Sequence, residues 1–129
     1  FARLDYLNLL RIVPGNFEAQ LGLALVNQKD QHYTDALDGI NRLVTAFPDS
    51  AVAWAARAGM EKERNQLELA EYDYTEALKR DPNNSDYLLE RADIRIKMRK
   101  ISDARHDLDA VVKLGTPRIA LREWYNQCK

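Results

Sequence analysis

Apolar positions along the chain recur in short stripes of helical spacing. After Ser50, the residues Val52, Ala55, Ala58 and Gly59 fall on one helical face that runs to about Arg64. Ser50 itself offers a hydroxyl to the orphan amides of a first turn. A polar break at Asn65 and Gln66 separates this stripe from a second one over about 67–80. There Ala70, Tyr74, Ala77 and Leu78 stand at i, i+4, i+7 and i+8. Asp81 and Pro82 end it, because the residue before a proline is pushed out of helical φ/ψ. The pattern predicts two helices joined by a tight turn.

The same stripes return along the chain. Prolines stand at 14, 48, 82 and 117, and small residues recur at Ala24, Ala58 and Ala92 and at Ala2, Ala36, Ala70 and Ala104. Larger side chains recur at Tyr6, Ile40, Tyr74 and Leu108, and a further register holds Leu9, Leu43, Ala77 and Val111. Cap-type residues Asn16, Ser50 and Asn84 follow the first three prolines by two positions. Coincident registers of this kind define a unit of 34 residues, and units of that length stack into solenoids. The small residues have a packing reason: paired helices cross closely only where side chains are small.

These residues resemble the tetratricopeptide repeat family over nearly the whole chain. The family pattern places Trp, Leu, Gly and Tyr on a first helix and Ala, Phe and Ala on a second, with a Pro near the end. Trp54, Ala58, Ala70, Tyr74, Ala77 and Pro82 match it in the middle unit. Leu23, Ala24, Ala36, Ile40 and Pro48 match before it, and Leu88, Ala92, Ala104 and Leu108 after it. The resemblance implies an all-α fold, an α-α superhelix of about eight helices. Full repeats span 17–50, 51–84 and 85–118, and residues 1–16 match only the second half of a repeat. Thr116 and Pro117 open a last helix over 117–128, whose Ala120, Leu121, Trp124, Tyr125 and Cys128 share a face, as a capping helix requires. The family's Leu and Tyr are replaced by Arg57 and Glu61, then by Arg91 and Arg95. Glu61 pairing with Arg91 or Arg95 across the repeat interface is one expectation; separate snorkelling into water is the other.

Composition narrows the function. Of 129 residues, 46% are apolar and 30% charged, with 19 Lys and Arg against 20 Asp and Glu. That balance lacks the basic excess of a nucleic-acid binder, and no apolar run reaches the roughly 20 residues of a membrane span. The single cysteine, Cys128, excludes an internal disulfide and a cysteine zinc site. No G-x-x-x-x-G-K-[ST], G-x-S-x-G or H-E-x-x-H motif occurs, so no enzyme, metal or cofactor is expected. Asp103, His106 and Asp107 stand at i, i+3 and i+4, which read as a solvated face without a fourth ligand. Arg95, Lys97, Arg99, Lys100 and Arg105 crowd one turn, interleaved with Asp93, Asp103 and Asp107, and read as a solvated turn.

What remains is the repeat surface. The resemblance implies a concave groove lined by the first helix of each repeat. Carried over, its positions hold Glu18, Leu21, Gly22, Leu25, Gln28 and Lys29, then Val52, Ala55, Ala56, Gly59, Lys62 and Glu63. The third repeat adds Asp86, Leu89, Glu90, Asp93, Ile96 and Lys97. The trough is apolar at its centre and acidic at Asp86, Glu90 and Asp93. It lacks the Lys and Asn of the carboxylate clamp that holds Glu-Glu-Val-Asp-type tails in chaperone-binding relatives. The expected function is a non-catalytic scaffold for a peptide segment or partner helix bearing basic residues. The alternatives are a spacer or assembly module docking through its ends, and a regulatory region of a larger protein. Phe1, Leu4, Tyr6, Leu7, Leu9, Leu10, Ile12 and Val13 make the amino-terminal stretch strongly apolar. An array continuing upstream, or pairing with a second copy, is expected to cover it.

Overall fold

A computed structural model describes residues 16–129. The half repeat expected over 1–16, with its apolar stretch, lies outside the described residues except for Asn16. Six long helices follow in order: α1 (Phe17–Lys29), α2 (Tyr33–Ala46), α3 (Ala51–Glu63), α4 (Leu67–Arg80), α5 (Ser85–Lys97) and α6 (Ile101–Lys113). A 3₁₀ turn, Arg118–Leu121, and a short helix α7, Arg122–Asn126, complete the chain. There is no strand among the described residues.

The local chemistry repeats as faithfully as the sequence does. Each odd helix of the three pairs starts on a capping side chain. Asn16 accepts from the Ala19 amide at 2.6 Å, Ser50 from Ala53 at 3.2 Å, and Asn84 from Tyr87 at 3.0 Å. Each of these helices ends in the same left-handed turn, at Gln31 (φ 64°), Asn65 (φ 59°) and Arg99 (φ 64°). The next amide reaches back five residues, His32 to the Asn27 carbonyl, Gln66 to Glu61 and Lys100 to Arg95. That closure satisfies carbonyls the helix end would otherwise orphan. The helices α2 and α4 stop instead one residue before a proline, at Phe47 and Asp81.

Packing runs along the array. Helices pair within each repeat and then against the next, α2 on α3 and α4 on α5, while α1 also touches α3. The small registers lie at the crossings: Ala24, Ala58, Ala92, Ala36, Ala70 and Ala104 are all buried. Around them, Ile40 and Leu43 fill the first core, Tyr74 and Ile94 the middle one, and Leu108 and Val111 the third. Leu121 and Cys128 close the last core, with Trp124 and Tyr125 packed against it.

The carboxyl-terminal cap departs from the expectation of one helix over 117–128. The chain takes a 3₁₀ turn before α7, and Ala120 is exposed rather than on the packed face. The expected pairing of Glu61 with Arg91 or Arg95 is also replaced. Arg57 grips Asp73 at 2.8 and 2.9 Å, and Arg91 grips Asp107 at 3.0 and 2.6 Å, each through two guanidinium nitrogens. Each arginine also reaches back to the preceding repeat, Arg57 to Asn41 and Arg91 to Thr75. Arginine and partner thus sit 16 residues apart in either direction, on adjoining helices. Asp107 is therefore a buried ion-pair member and not part of a solvated acidic face. The basic turn is likewise engaged: Arg95 and Lys100 hold Glu71, Arg95 also holds Asp107, and Arg105 donates to the Cys128 carbonyl.

Candidate functional site

Helices α1, α3 and α5 share one face, and side chains stitch it together across the repeats. Gln28 on α1 donates to Glu63 on α3. Lys62 on α3 reaches both Glu90 and Asp93 on α5 at 2.8 Å, and Lys97 adds a 3.1 Å contact to Asp93. Burial opposes the charge of Lys62, but its bonds to Asp93 and Glu90 outweigh that and hold its pKa above the ordinary value. Burial likewise opposes the charge of Asp93, and Lys62 and Lys97 pull its pKa below the ordinary value. Glu90 and Asp93 therefore do not form a bare acidic wall. Of the carboxylates expected there, Asp86 stands exposed and Glu90 shares one ammonium with Asp93.

The apolar members divide into two kinds. Leu21 and Ala56 pack on the first core, Ala55 on the middle one and Leu89 on the third, so these four already serve the fold. Leu25 and Val52, each 46% exposed, remain open on the surface. Gly59 lies one turn beyond Ala55 on α3, and a Cβ built there would meet the Tyr74 hydroxyl at 3.7 Å.

Beneath this face lies a second polar cluster. Glu61 is 6% exposed, and its Oε1 has no hydrogen-bond partner. Burial first, and then the hydrogen bond to Asp73 and that residue's charge, push its pKa up to about 9 against the opposing pull of Arg57. At neutral pH the Glu61 carboxyl keeps its proton and donates it to Asp73. Sequence reasoning placed Glu61 in an ion network but missed this partner and this protonation state.

The geometry of paired, regularly stacked helices invites comparison with solved structures. No family model matches the chain, and no curated protein matches it in sequence. A tetratricopeptide repeat protein from Parabacteroides merdae superposes with a TM-score of 0.87 at 18% identity, over 98% of this chain and 51% of that one. The chain has the tetratricopeptide repeat fold. MamA shares the fold at a TM-score of 0.75 and 16% identity, over 85% of this chain and 64% of MamA. The chain thus spans about two thirds of MamA and half of the Parabacteroides protein. The first such domain of Spaghetti, solved with the HSP90 peptide SRMEEVD, gives a TM-score of 0.75 at 19% identity, over 85% of this chain and 90% of that one.

Proposed function

We propose that the chain is a non-catalytic scaffold that captures a peptide segment along the α1, α3 and α5 face. The observation that carries this reading is the pair of open apolar side chains, Leu25 and Val52, beside the charged ladder of Lys62, Glu90, Asp93 and Lys97. Apolar side chains of the segment would be buried at Leu25 and Val52. The flanking charges would set its direction more than its affinity. Peptide capture by the Spaghetti domain, which shares the fold, supports the reading. The ligand chemistry differs, because Leu, Ala, Glu or Asp occupy the positions of a carboxylate clamp, so a basic segment suits this groove better than an acidic tail.

The test is affinity capture with the native chain and with Leu25→Glu and Val52→Glu, two surface changes that leave the cores intact. Partners held by the native chain and lost by both variants establish the groove. Identical partner sets overturn it. A second reading, docking through an end of the array, draws on exposed Ile119 beside Arg118, Arg122 and Tyr125. Under that reading Ile119→Glu, and not Val52→Glu, removes the partners.

A further inference from the structure

The groove floor holds a polar group that the fold does not use. Tyr74 belongs to the outer helix α4, and its ring lies in the middle core with Ala58, Ala70 and Ile94, tilted against Tyr87 of α5. The residue is 5% exposed, yet among the described residues its hydroxyl has no hydrogen-bond partner, and it is not fully enclosed as Glu61 Oε1 is. It emerges next to Gly59, 3.7 Å from where a Cβ would stand. Burial first, then the nearby Glu90 and Tyr87, raise its pKa, so the hydroxyl stays a donor at every ordinary pH.

Comparison of the repeats shows that this arrangement is particular to the middle one. In the other two full repeats the positions equivalent to Gly59 hold Leu25 and Asp93, and those equivalent to Tyr74 hold Ile40 and Leu108. Only the middle repeat joins a missing side chain on the groove helix to a hydroxyl beneath it. A helix interior without a Cβ costs stability relative to alanine, and ordinary contact distance at 3.7 Å shows that an alanine would fit. The gap therefore has no packing reason. It leaves a donor open to the groove, near Glu90, which shares its one ammonium with Asp93.

We propose that Tyr74 anchors the bound segment, its hydroxyl donating past Gly59 to a backbone carbonyl of an extended peptide whose lysine or arginine lies against Glu90 and Asp86. The proposal rests on the groove reading and adds its ligand chemistry. Charge complementarity selects the basic residue: Glu90 and Asp93 share Lys62, Lys97 adds to Asp93, and exposed Asp86 on the same helix brings a third carboxylate against two ammonium groups. A backbone carbonyl is the acceptor every peptide carries, so the anchor fixes register whatever the flanking side chains are. A peptide that covered Tyr74 without supplying an acceptor would strand the donor.

The experiment selects phage-displayed random 12-residue peptides on the native chain and measures the enriched peptides by fluorescence polarisation. Native chain, Tyr74→Phe, Gly59→Ala and Val52→Glu are compared, each with a thermal melt. Enriched peptides are expected to carry Lys or Arg, to bind Tyr74→Phe about 3–10-fold more weakly, and to bind Gly59→Ala at least as weakly although that variant melts no lower than the native chain. Binding lost in Val52→Glu but unchanged in Tyr74→Phe overturns the anchor and leaves the groove standing. Binding indifferent to Val52→Glu, or no enrichment at all, overturns the groove and the anchor together. Enriched peptides without basic residues overturn the charge assignment.

Discussion

Asp73 and Asp107 stand 34 residues apart, at the same place in successive repeats, and both are buried, at 2% and 1% exposure. Each accepts a two-pronged grip from an arginine 16 residues earlier. Their second partner differs. Asp107 receives Arg95, whose guanidinium also bonds Glu71. Asp73 receives Glu61, a carboxyl that must keep its proton to be tolerated. One repeat gives its buried carboxylate a second cation, the other a protonated carboxyl as donor. The same backbone thus supports a site closed by two guanidinium groups and a site coupled to pH through Glu61. A buried charge left without a partner is what each arrangement avoids.

The sharpest way to break the comparison is to remove the shared arginine from each repeat. Arg57→Met leaves Asp73 with only a carboxyl beside it, and a loss of about 3 kcal/mol in urea unfolding is expected. Arg91→Met leaves Asp107 with Arg95, and the expected loss is about 1 kcal/mol. Equal losses would show that the second partners are energetically alike.

Titration separates the two sites next. A carboxyl whose folded pKa is raised stabilises the fold fully below its unfolded pKa, near 4.5, and loses that contribution as pH rises through about 9. Between those values the unfolded chain has released the Glu61 proton and the native chain has not, so stability falls with rising pH. Glu61→Gln supplies a permanent donor to Asp73. It is expected to flatten the decline and to raise stability at pH 8 by roughly 1–2 kcal/mol. The opposite limb comes from Glu71, whose pKa is lowered because Lys100 and Arg95 outweigh burial. Its contribution is lost as pH falls below the ordinary carboxylate range. An unchanged slope between pH 5 and 9 in Glu61→Gln would place the pH dependence elsewhere.

Smaller effects refine the α3 and α5 side of the same contrast. Gly59→Ala fills the gap unique to the middle repeat, and helix propensity alone is expected to add about 0.5–1 kcal/mol in thermal melts. Lys62→Met removes the link between α3 and α5. With its partners partly solvated, a loss of about 0.5 kcal/mol is expected in urea. A change above about 2 kcal/mol would make this bridge part of the fold's foundation and not a surface contact.

Much of the architecture was legible because it is local. The 34-residue registers of alanine and proline mark the crossings and stops, and Asn16, Ser50 and Asn84 read as caps from residue type alone. The partner of Glu61 was not legible. Stacking equivalent positions of neighbouring first helices pointed to Arg91 and Arg95, whereas the arginines reach across to second helices, 16 residues away. Sequence reasoning likewise counted Glu90 and Asp93 as an open acidic wall, since nothing in one helix shows that Lys62 of another lies between them. The break in the cap belongs to the same class. A stripe of apolar spacing at Ala120, Leu121, Trp124 and Tyr125 does not distinguish one straight helix from a 3₁₀ turn followed by a short one.

The turns at Gln31, Asn65 and Arg99 carry a consequence for how such a surface changes. All three close with the same left-handed residue and the same backbone bonds, and none is a glycine. Each turn is thereby held by main-chain bonds, at positions separate from exposed Leu25 and Val52. Substitution at those two side chains can leave the turn inside each repeat unchanged. Turn geometry and these two open side chains rest on different residues, and each is free to vary without undoing the other.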